Sequence, residues 1–180
     1  MALKQPMLHE KQEDIFLEKL RQRRDEFGRL RFWGAKPITG IRYRGTTAYE
    51  KIEDALKASG WTDIRIGDEW AGNGEFAWFK MSFTVPKEFD GKMLVGLFRF
   101  GTAGWLGGEG CLFINGTPYQ GVDPNHQDVI LAHKAKAGQK FELVAECVST
   151  QVWQNKRHKV KLEQAALDDH LHGQQERRRL

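Results

Sequence analysis

The sequence predicts a mainly β fold, a sandwich or jelly roll that is preceded by helices. From Trp61 onward, apolar residues recur with a period of two, which is typical of strands with one buried face. These runs come about every ten residues and are separated by turn signals. No helical pattern lies between them, so a parallel sheet with crossover helices is not expected. The 180 residues suffice for one domain with a core of its own.

The first predicted element is a long helix from about His9 to Leu30. Its apolar residues recur at steps of three and four positions: Ile15, Phe16, Leu20, Phe27 and Leu30. Such a stripe packs on its own chain, on another subunit or on another domain, because leaving it in water is unfavourable. We expect a homo-oligomer that forms at least partly through this helix.

A second, short helix is predicted from about Ala48 to Ala58. Thr47 and Glu50 fit a capping box, in which each side chain bonds the other residue's backbone N–H. Gly60 is the expected stop after its last turn. The residues expected on its buried side are Ile52, Ala55 and Leu56.

Three long strands follow from the two-residue pattern. Residues from Phe76 to Val85 alternate between apolar and polar faces, and Pro86 ends the run. Residues from Lys92 to Phe100 are apolar on both faces, which suits a central strand. The run from Phe141 to Val148 is similar and follows a turn at Gly138.

The residues from Cys111 to Leu131 predict a hairpin and a further strand. Asn115-Gly116 is a strong signal for a two-residue turn, because both positions adopt positive φ. Pro118 cannot donate to a ladder, so the return strand is expected at a sheet edge or after a kink. Asp123-Pro124-Asn125 forms the next turn before a strand from Asp128 to Leu131.

These patterns divide the chain into three parts. Residues 1–60 form an N-terminal helical segment and connector, residues 61–166 the β-sandwich, and residues 167–180 a polar tail. Val160 and Leu162 indicate one last strand. From Ala165 onward the sequence is rich in charge, Gln and His, so we expect a solvated tail.

Composition and charge exclude several classes of function. Basic clusters at Arg21–Arg24 and Arg177–Arg179 contribute to a net charge of +4, but no nucleic-acid motif accompanies them. The N-terminal residues lack the apolar run of a signal peptide, and no apolar stretch is long enough to span a membrane. We therefore expect a cytoplasmic protein without membrane contact. Cys111 and Cys147 lie in apolar strand patterns and are expected to be reduced core residues.

The search for a chemical site leaves one enzymatic alternative. His170 and His172 follow two aspartates, but they lie in a polar tail without a scaffold, so no metal site is expected. Nucleophile and phosphate-loop motifs are absent. A small glycosidase or lyase that uses a pair of carboxylates, Glu109 and Asp128, remains open.

Tryptophans in glycine-bounded loops supply a second alternative. Trp70 and Trp105 lie in such loops, where a large apolar side chain requires a partner. Together with Trp78 they are candidates for stacking on a sugar ring. The chain would then be a free-standing carbohydrate-binding module.

Several spaced segments resemble a known family. They are Asp68-Glu69-Trp70, the strand at Phe76–Phe79, the strand end at Phe83–Pro86, and the hairpin from Gly108 to His126. In this order the chain is similar to the N-terminal region of bacterial and vacuolar-type α-mannosidases of glycoside hydrolase family 38. The similarity covers roughly Trp61 to Ala166.

The resemblance implies a galactose-binding-like β-sandwich that precedes a zinc-dependent catalytic domain. Nothing after Ala166 matches the zinc ligands or the aspartate nucleophile of that domain. We therefore expect an accessory domain with no cofactor and no catalytic residue of its own, which assembles with the catalytic domain of a parent α-mannosidase.

The residues expected to contact that domain or a ligand are Trp70, Trp105, Glu109, Gln120, Asp123, Asn125 and His126. A structural role is equally open for His126, whose ring would then bond a nearby backbone carbonyl.

Overall fold

The computed structural model describes residues 8–31, 35–70, 76–101, 108–149, 152–153, 156–157, 160–162 and 164–169, and in the first helix the side chains of residues 12–26. The helices are α1 (Leu8–Arg31) and α2 (Ile52–Lys57), with a 3-10 turn at Lys87–Phe89. The strands are β1 (Lys36–Pro37), β2 (Arg42–Thr46), β3 (Thr62–Asp63), β4 (Glu69–Trp70), β5 (Phe76–Thr84), β6 (Leu94–Arg99), β7 (Gly108–Ile114), β8 (Thr117–Val122), β9 (Asp128–Ala132), β10 (Lys140–Ser149), β11 (Val152–Trp153), β12 (Lys156–Arg157), β13 (Val160–Lys161) and β14 (Gln164–Asp169).

Two antiparallel sheets form the sandwich and confirm the predicted jelly-roll class. One sheet has six strands in the order β3-β2-β5-β10-β7-β8, and the other has four in the order β1-β14-β6-β9. The three long predicted strands are present as β5, β6 and β10. β5 and β10 are central neighbours that pair along nine residues, from Lys140↔Thr84 to Val148↔Phe76.

The inner faces of the two sheets bury a continuous apolar core. Phe79 of β5 lies at its centre, with its ring 4.9 Å from the ring of Phe100 and 5.3 Å from that of Trp70. β6 is buried on both faces, as the sequence predicts, because Phe98 packs in this core while Val95 and Leu97 pack in a second cluster with Ala166. The apolar pattern of β6 therefore reflects two packed sides.

The outer face of the six-stranded sheet is partly covered by α2. Ala55 of α2 packs there with Trp78, Phe113 and Val144. Trp78 is 1% exposed, so the predicted solvent face of β5 is buried at this position. Lys80, two residues further along, extends over Trp61 with its Nζ atom 3.8 Å from the ring centroid.

The start of α2 differs from the prediction. The helix begins at Ile52 with Lys51 at its N-cap, and no side chain bonds the cap, so the Thr47–Glu50 capping box is wrong. Glu50 instead accepts two hydrogen bonds from Arg44, at 2.6 and 2.8 Å. This bidentate, charge-assisted pair attaches Glu50 to Arg44 of β2. Leu56 is 38% exposed and not on the buried side.

The predicted domain limits are also corrected. β1 and β2 belong to the sandwich although they lie within residues 1–60, because β1 pairs with β14 and β2 pairs with β5. β14 crosses the predicted end of the sandwich at residue 166, and Leu167 and Asp168 within it are buried. The sandwich therefore extends from Lys36 to Asp169, and the expected solvated tail is wrong for residues 167–169.

The hairpin prediction is confirmed. Asn115 and Gly116 have φ values of 50° and 81° and connect β7 to β8. β8 is an edge strand, which accommodates Pro118 without loss of a ladder hydrogen bond. The predicted strand after the Asp123 turn is present as β9.

The first helix is present as predicted, and its described side chains, from residue 12 to residue 26, are all exposed. Within the described residues no helix combines the length and apolarity that a membrane crossing requires.

Candidate functional site

One end of the sandwich gathers most of the predicted site residues. β6 ends there at Arg99, β7 begins at Gly108, and β8 ends at Val122 opposite Gly110. We call the surface formed by Arg99 and the turn at Asp123–Gln127 the loop end. A cavity of about 10 Å³ lies between Phe98–Gly101 and Val122–Pro124. It has room for one water molecule and is too small for a sugar ring.

The turn at Asp123 is organised by the aspartate itself. Asp123 Oδ1 accepts hydrogen bonds from the backbone N–H groups of Asn125 and His126, at 2.6 and 2.9 Å. Its Oδ2 lies 2.8 Å from Nδ1 of His126. The His126 hydrogen bond, followed by the Asn125 N–H, lowers the pKa of Asp123 below its ordinary value. His126 thus bonds a carboxylate, and not the backbone carbonyl that the alternative structural role for this residue required.

A second set of hydrogen bonds attaches this turn to β6. Arg99 donates from Nε and Nη2 to Oε1 of Gln127, at 3.1 and 2.9 Å. The amide nitrogen of Gln127 donates to the carbonyl oxygen of Pro124. The turn is therefore held from both ends, while Asn125 and His126 remain exposed. A rigid, exposed turn is suited to contact a partner surface.

Gln120 has a structural partner on the neighbouring sheet. Its amide donates to the carbonyl oxygen of Asp128 at 3.1 Å, and Tyr119 donates its hydroxyl to the carbonyl oxygen of Ile130 at 2.6 Å. β8 and β9 are the edge strands of the two sheets. These bonds therefore connect the sheets along one side and satisfy edge carbonyls of β9.

Trp70 is not available for stacking on a sugar. Its side chain is 2% exposed, and its indole N–H donates to the carbonyl oxygen of Phe100 at 2.6 Å. Trp78 is also buried, under α2. The stacking role predicted for these two tryptophans is therefore wrong, because both rings belong to packed clusters. Trp105 lies outside the described residues.

An exposed aromatic surface that the sequence did not indicate lies on the outer face of the six-stranded sheet. Phe76, Val148 and Glu109 are cross-strand neighbours in one row, and Glu146 follows on the same face two residues before Val148. Tyr49 is 67% exposed and meets the ring of Phe76 edge-on, at 6.2 Å and 74°. We call Tyr49, Phe76, Glu109 and Glu146 the aromatic corner.

The two carboxylates of the aromatic corner differ in burial. Glu109 is exposed, whereas Glu146 is half-buried beside Cys111, its cross-strand neighbour. Burial raises the pKa of Glu146 above its ordinary value. The sequence does not predict this surface, because Phe76 and Glu109 come into one row only through the strand register of β5, β10 and β7. Local sequence patterns do not specify which distant strands pair.

The carboxylate pair suggested by the sequence does not come together. Glu109 lies on the outer face of the six-stranded sheet, whereas Asp128 begins β9 in the four-stranded sheet. Among the described side chains, no group of three or more His, Cys, Asp or Glu is arranged to hold a metal ion. His170 and His172 are outside the described residues.

Comparison with known proteins gives one family. A sequence model of the family described as "Alpha-mannosidase, jelly roll domain" matches residues 37–168. No curated protein matches the chain.

Among solved structures, the chain is similar to β-glucuronidase from Ruminococcus gnavus in complex with D-glucuronic acid, with 14% identity and a TM-score of 0.47. It is also similar to the same enzyme in complex with uronic isofagomine, with 16% identity and a TM-score of 0.46. Each match covers 74% of this chain and 28% of the glucuronidase chain.

Proposed function

The chain belongs to the family of α-mannosidase jelly-roll domains, and we propose that it is a non-catalytic accessory domain that docks onto the zinc-dependent catalytic domain of its parent enzyme. The family match over residues 37–168 is the observation that carries this proposal. The hydrolysis of α-mannosides then belongs to the catalytic domain, and this domain contributes to assembly.

The loop end is the surface we assign to docking. Its turn presents Asn125 and His126 to solvent, while Asp123 and Gln127 fix the backbone beneath them. Binding then costs little ordering of the loop, since its conformation is already set. The proposal includes a cytoplasmic location, which is supported by two free cysteines, Cys111 and Cys147.

A direct binding experiment tests the docking. The chain is titrated calorimetrically into a zinc-loaded α-mannosidase catalytic domain from the same organism. We expect a specific complex, and we expect Asn125→Lys combined with His126→Glu to weaken it at least about tenfold, because both changes alter the exposed part of the turn. Lys136→Ala, on another exposed loop, serves as the control. Lack of binding by the unaltered chain would refute the docking.

The aromatic corner favours a second candidate function, carbohydrate binding. Aromatic surface with a polar acceptor in reach is typical of small-ligand sites; Tyr49 and Phe76 provide the aromatic surface, and Glu109 provides the acceptor on the same face, two strands away across Val148. A sugar would pack its apolar face on Tyr49 and donate hydroxyl hydrogen bonds to Glu109. This places sugar binding on residues other than the tryptophans that the sequence suggested.

Manno-oligosaccharides distinguish this function from docking. If the aromatic corner binds sugar, Tyr49→Ala abolishes the calorimetric signal, whereas Tyr119→Ala, which removes an exposed tyrosine from β8, leaves it unchanged. Equal affinity of the Tyr49→Ala chain and the unaltered chain, or no binding at millimolar sugar, excludes the aromatic corner as a sugar site.

A further inference from the structure

The helix α1 exposes four large apolar side chains that lie close together in the sequence. Ile15, Phe16, Leu17 and Leu20 are 49–62% exposed. Phe16 and Leu20 are one helical turn apart, with Leu17 beside them, and they form an apolar patch of the kind that marks a site of association in soluble proteins. The occupant of this patch follows from the charges that flank it.

One face of α1 carries apolar residues between charges of opposite sign. Glu13, Phe16, Leu20 and Arg23 follow one another at steps of three, four and three residues, so they lie along one face of the helix. An acidic residue stands at the N-terminal end of this row and a basic residue at its C-terminal end. Phe27 continues the same spacing in the sequence.

The remaining charges of the helix have the same asymmetry. The half from Leu8 to Lys19 has four acidic residues and two lysines, a net charge of −2. The half from Leu20 to Arg31 has five arginines and two acidic residues, a net charge of +3. The helix is therefore complementary to a copy of itself that runs in the opposite direction.

We propose that α1 pairs antiparallel with α1 of a second copy of this chain. Phe16 of each helix then packs against Leu20 of the other, and Glu13 of each lies opposite Arg23 of the other. A parallel pair would place Glu13 against Glu13 and Arg23 against Arg23, which is unfavourable at both ends. The pairing buries the exposed patch of both copies and is independent of the docking proposed for the loop end.

Charge reversal tests both the pairing and its direction. The association of the intact chain is measured by sedimentation equilibrium, and circular dichroism verifies the helix content of each variant. Glu13→Arg or Arg23→Glu alone should weaken the dimer about tenfold, because each change turns two attractive contacts into repulsive ones. The double variant carries both reversals in one chain, restores opposite charges across an antiparallel pair, and should regain the original dimer constant.

Two further variants separate this dimer from nonspecific association. Gln22→Glu changes a charge on the face of α1 that also carries Asp14 and Glu18, away from Phe16 and Leu20, and should leave the dimer unchanged. Phe16→Glu combined with Leu20→Glu should produce a monomer. A chain that stays monomeric at all concentrations, or a double charge-reversal variant that stays as weak as the single ones, overturns the proposal.

Discussion

The indole nitrogen of Trp70 donates a hydrogen bond to the carbonyl oxygen of Phe100 over 2.6 Å, and the ring packs edge-on against Phe79. β4, which carries Trp70, is only two residues long. This bond therefore attaches a short peripheral strand to the end of the central strand β6. Trp70 belongs to the core of the sandwich and does not form part of a sugar site.

Trp70→Phe is expected to destabilise the fold through loss of this hydrogen bond. Trp78→Phe is the matched control, because Trp78 is equally buried but its indole N–H has no hydrogen-bond partner in the described structure. We expect Trp70→Phe to cost about 1–3 kcal/mol more than Trp78→Phe, since it leaves the Phe100 carbonyl unpaired. Urea unfolding measures the difference, and equal midpoints would contradict the role of the bond.

The turn between β7 and β8 gives a second prediction. Gly116 has a φ of 81° with no heavy atom within 4 Å of the position a Cβ would occupy, so a substitution there meets backbone strain and no clash. Gly116→Val should destabilise the fold by about 1–2 kcal/mol, and Gly116→Asn by less, because Asn tolerates positive φ. Thermal unfolding compares them. An unchanged melting temperature of the Val variant would contradict the strained turn.

The turn at Asp123 gives a prediction for pH dependence. The folded state lowers the pKa of Asp123, so its contribution to stability is fully present above the unfolded pKa of about 3.9 and is lost as the pH falls through the lower folded value. Asp123→Asn should therefore be less stable than the unaltered chain near neutral pH, by less than about 1 kcal/mol because the carboxylate is partly solvated. Urea unfolding from pH 7 down to about pH 3 should show the difference shrink. A difference that grows on acidification would contradict this account.

The reactivity of the Cys111 thiol is expected to depend on the charge of Glu146. Burial, followed by the negative charge of Glu146, raises the pKa of Cys111 above its ordinary value, so the thiol should react slowly with iodoacetamide. Glu146→Gln removes the charge and should speed the alkylation of Cys111, whereas Glu142→Gln, further along the same strand, should not. Mass spectrometry of the modified peptide measures the rates. Equal rates in both variants would show that Glu146 does not act on this thiol.

The elements that the sequence predicted are those whose local pattern agrees with their final environment. β5, β6 and β10 have long apolar or alternating runs, and the Asn115-Gly116 turn has a specific backbone requirement. β14 was missed because Gln164–Asp169 contains no β-branched or aromatic residue. Its position between β1 and β6 comes from pairing with distant strands, which overrides its weak local preference.

The sequence predicts the part of the candidate site that one short segment forms, the turn at Asp123, and does not predict the part that distant strands bring together. The sequence indicated the turn at Asp123, and the structure supplies the hydrogen bonds that hold it. It did not indicate the aromatic corner, because Phe76 and Glu109 are joined only by the register of β5, β10 and β7. It also placed Trp70 in a loop, since a two-residue strand has no detectable period.

The central claim, that this chain assists a catalytic domain and has no catalysis of its own, is tested most directly by hydrolysis of aryl α-mannosides. The rate is measured for the chain alone, for a zinc-loaded α-mannosidase catalytic domain alone, and for their mixture. We predict no turnover by the chain alone, with or without zinc, and a higher or more heat-resistant rate in the mixture. Turnover by the chain alone that is lost on Glu109→Gln or Glu146→Gln, or a mixture identical to the catalytic domain, would contradict the account.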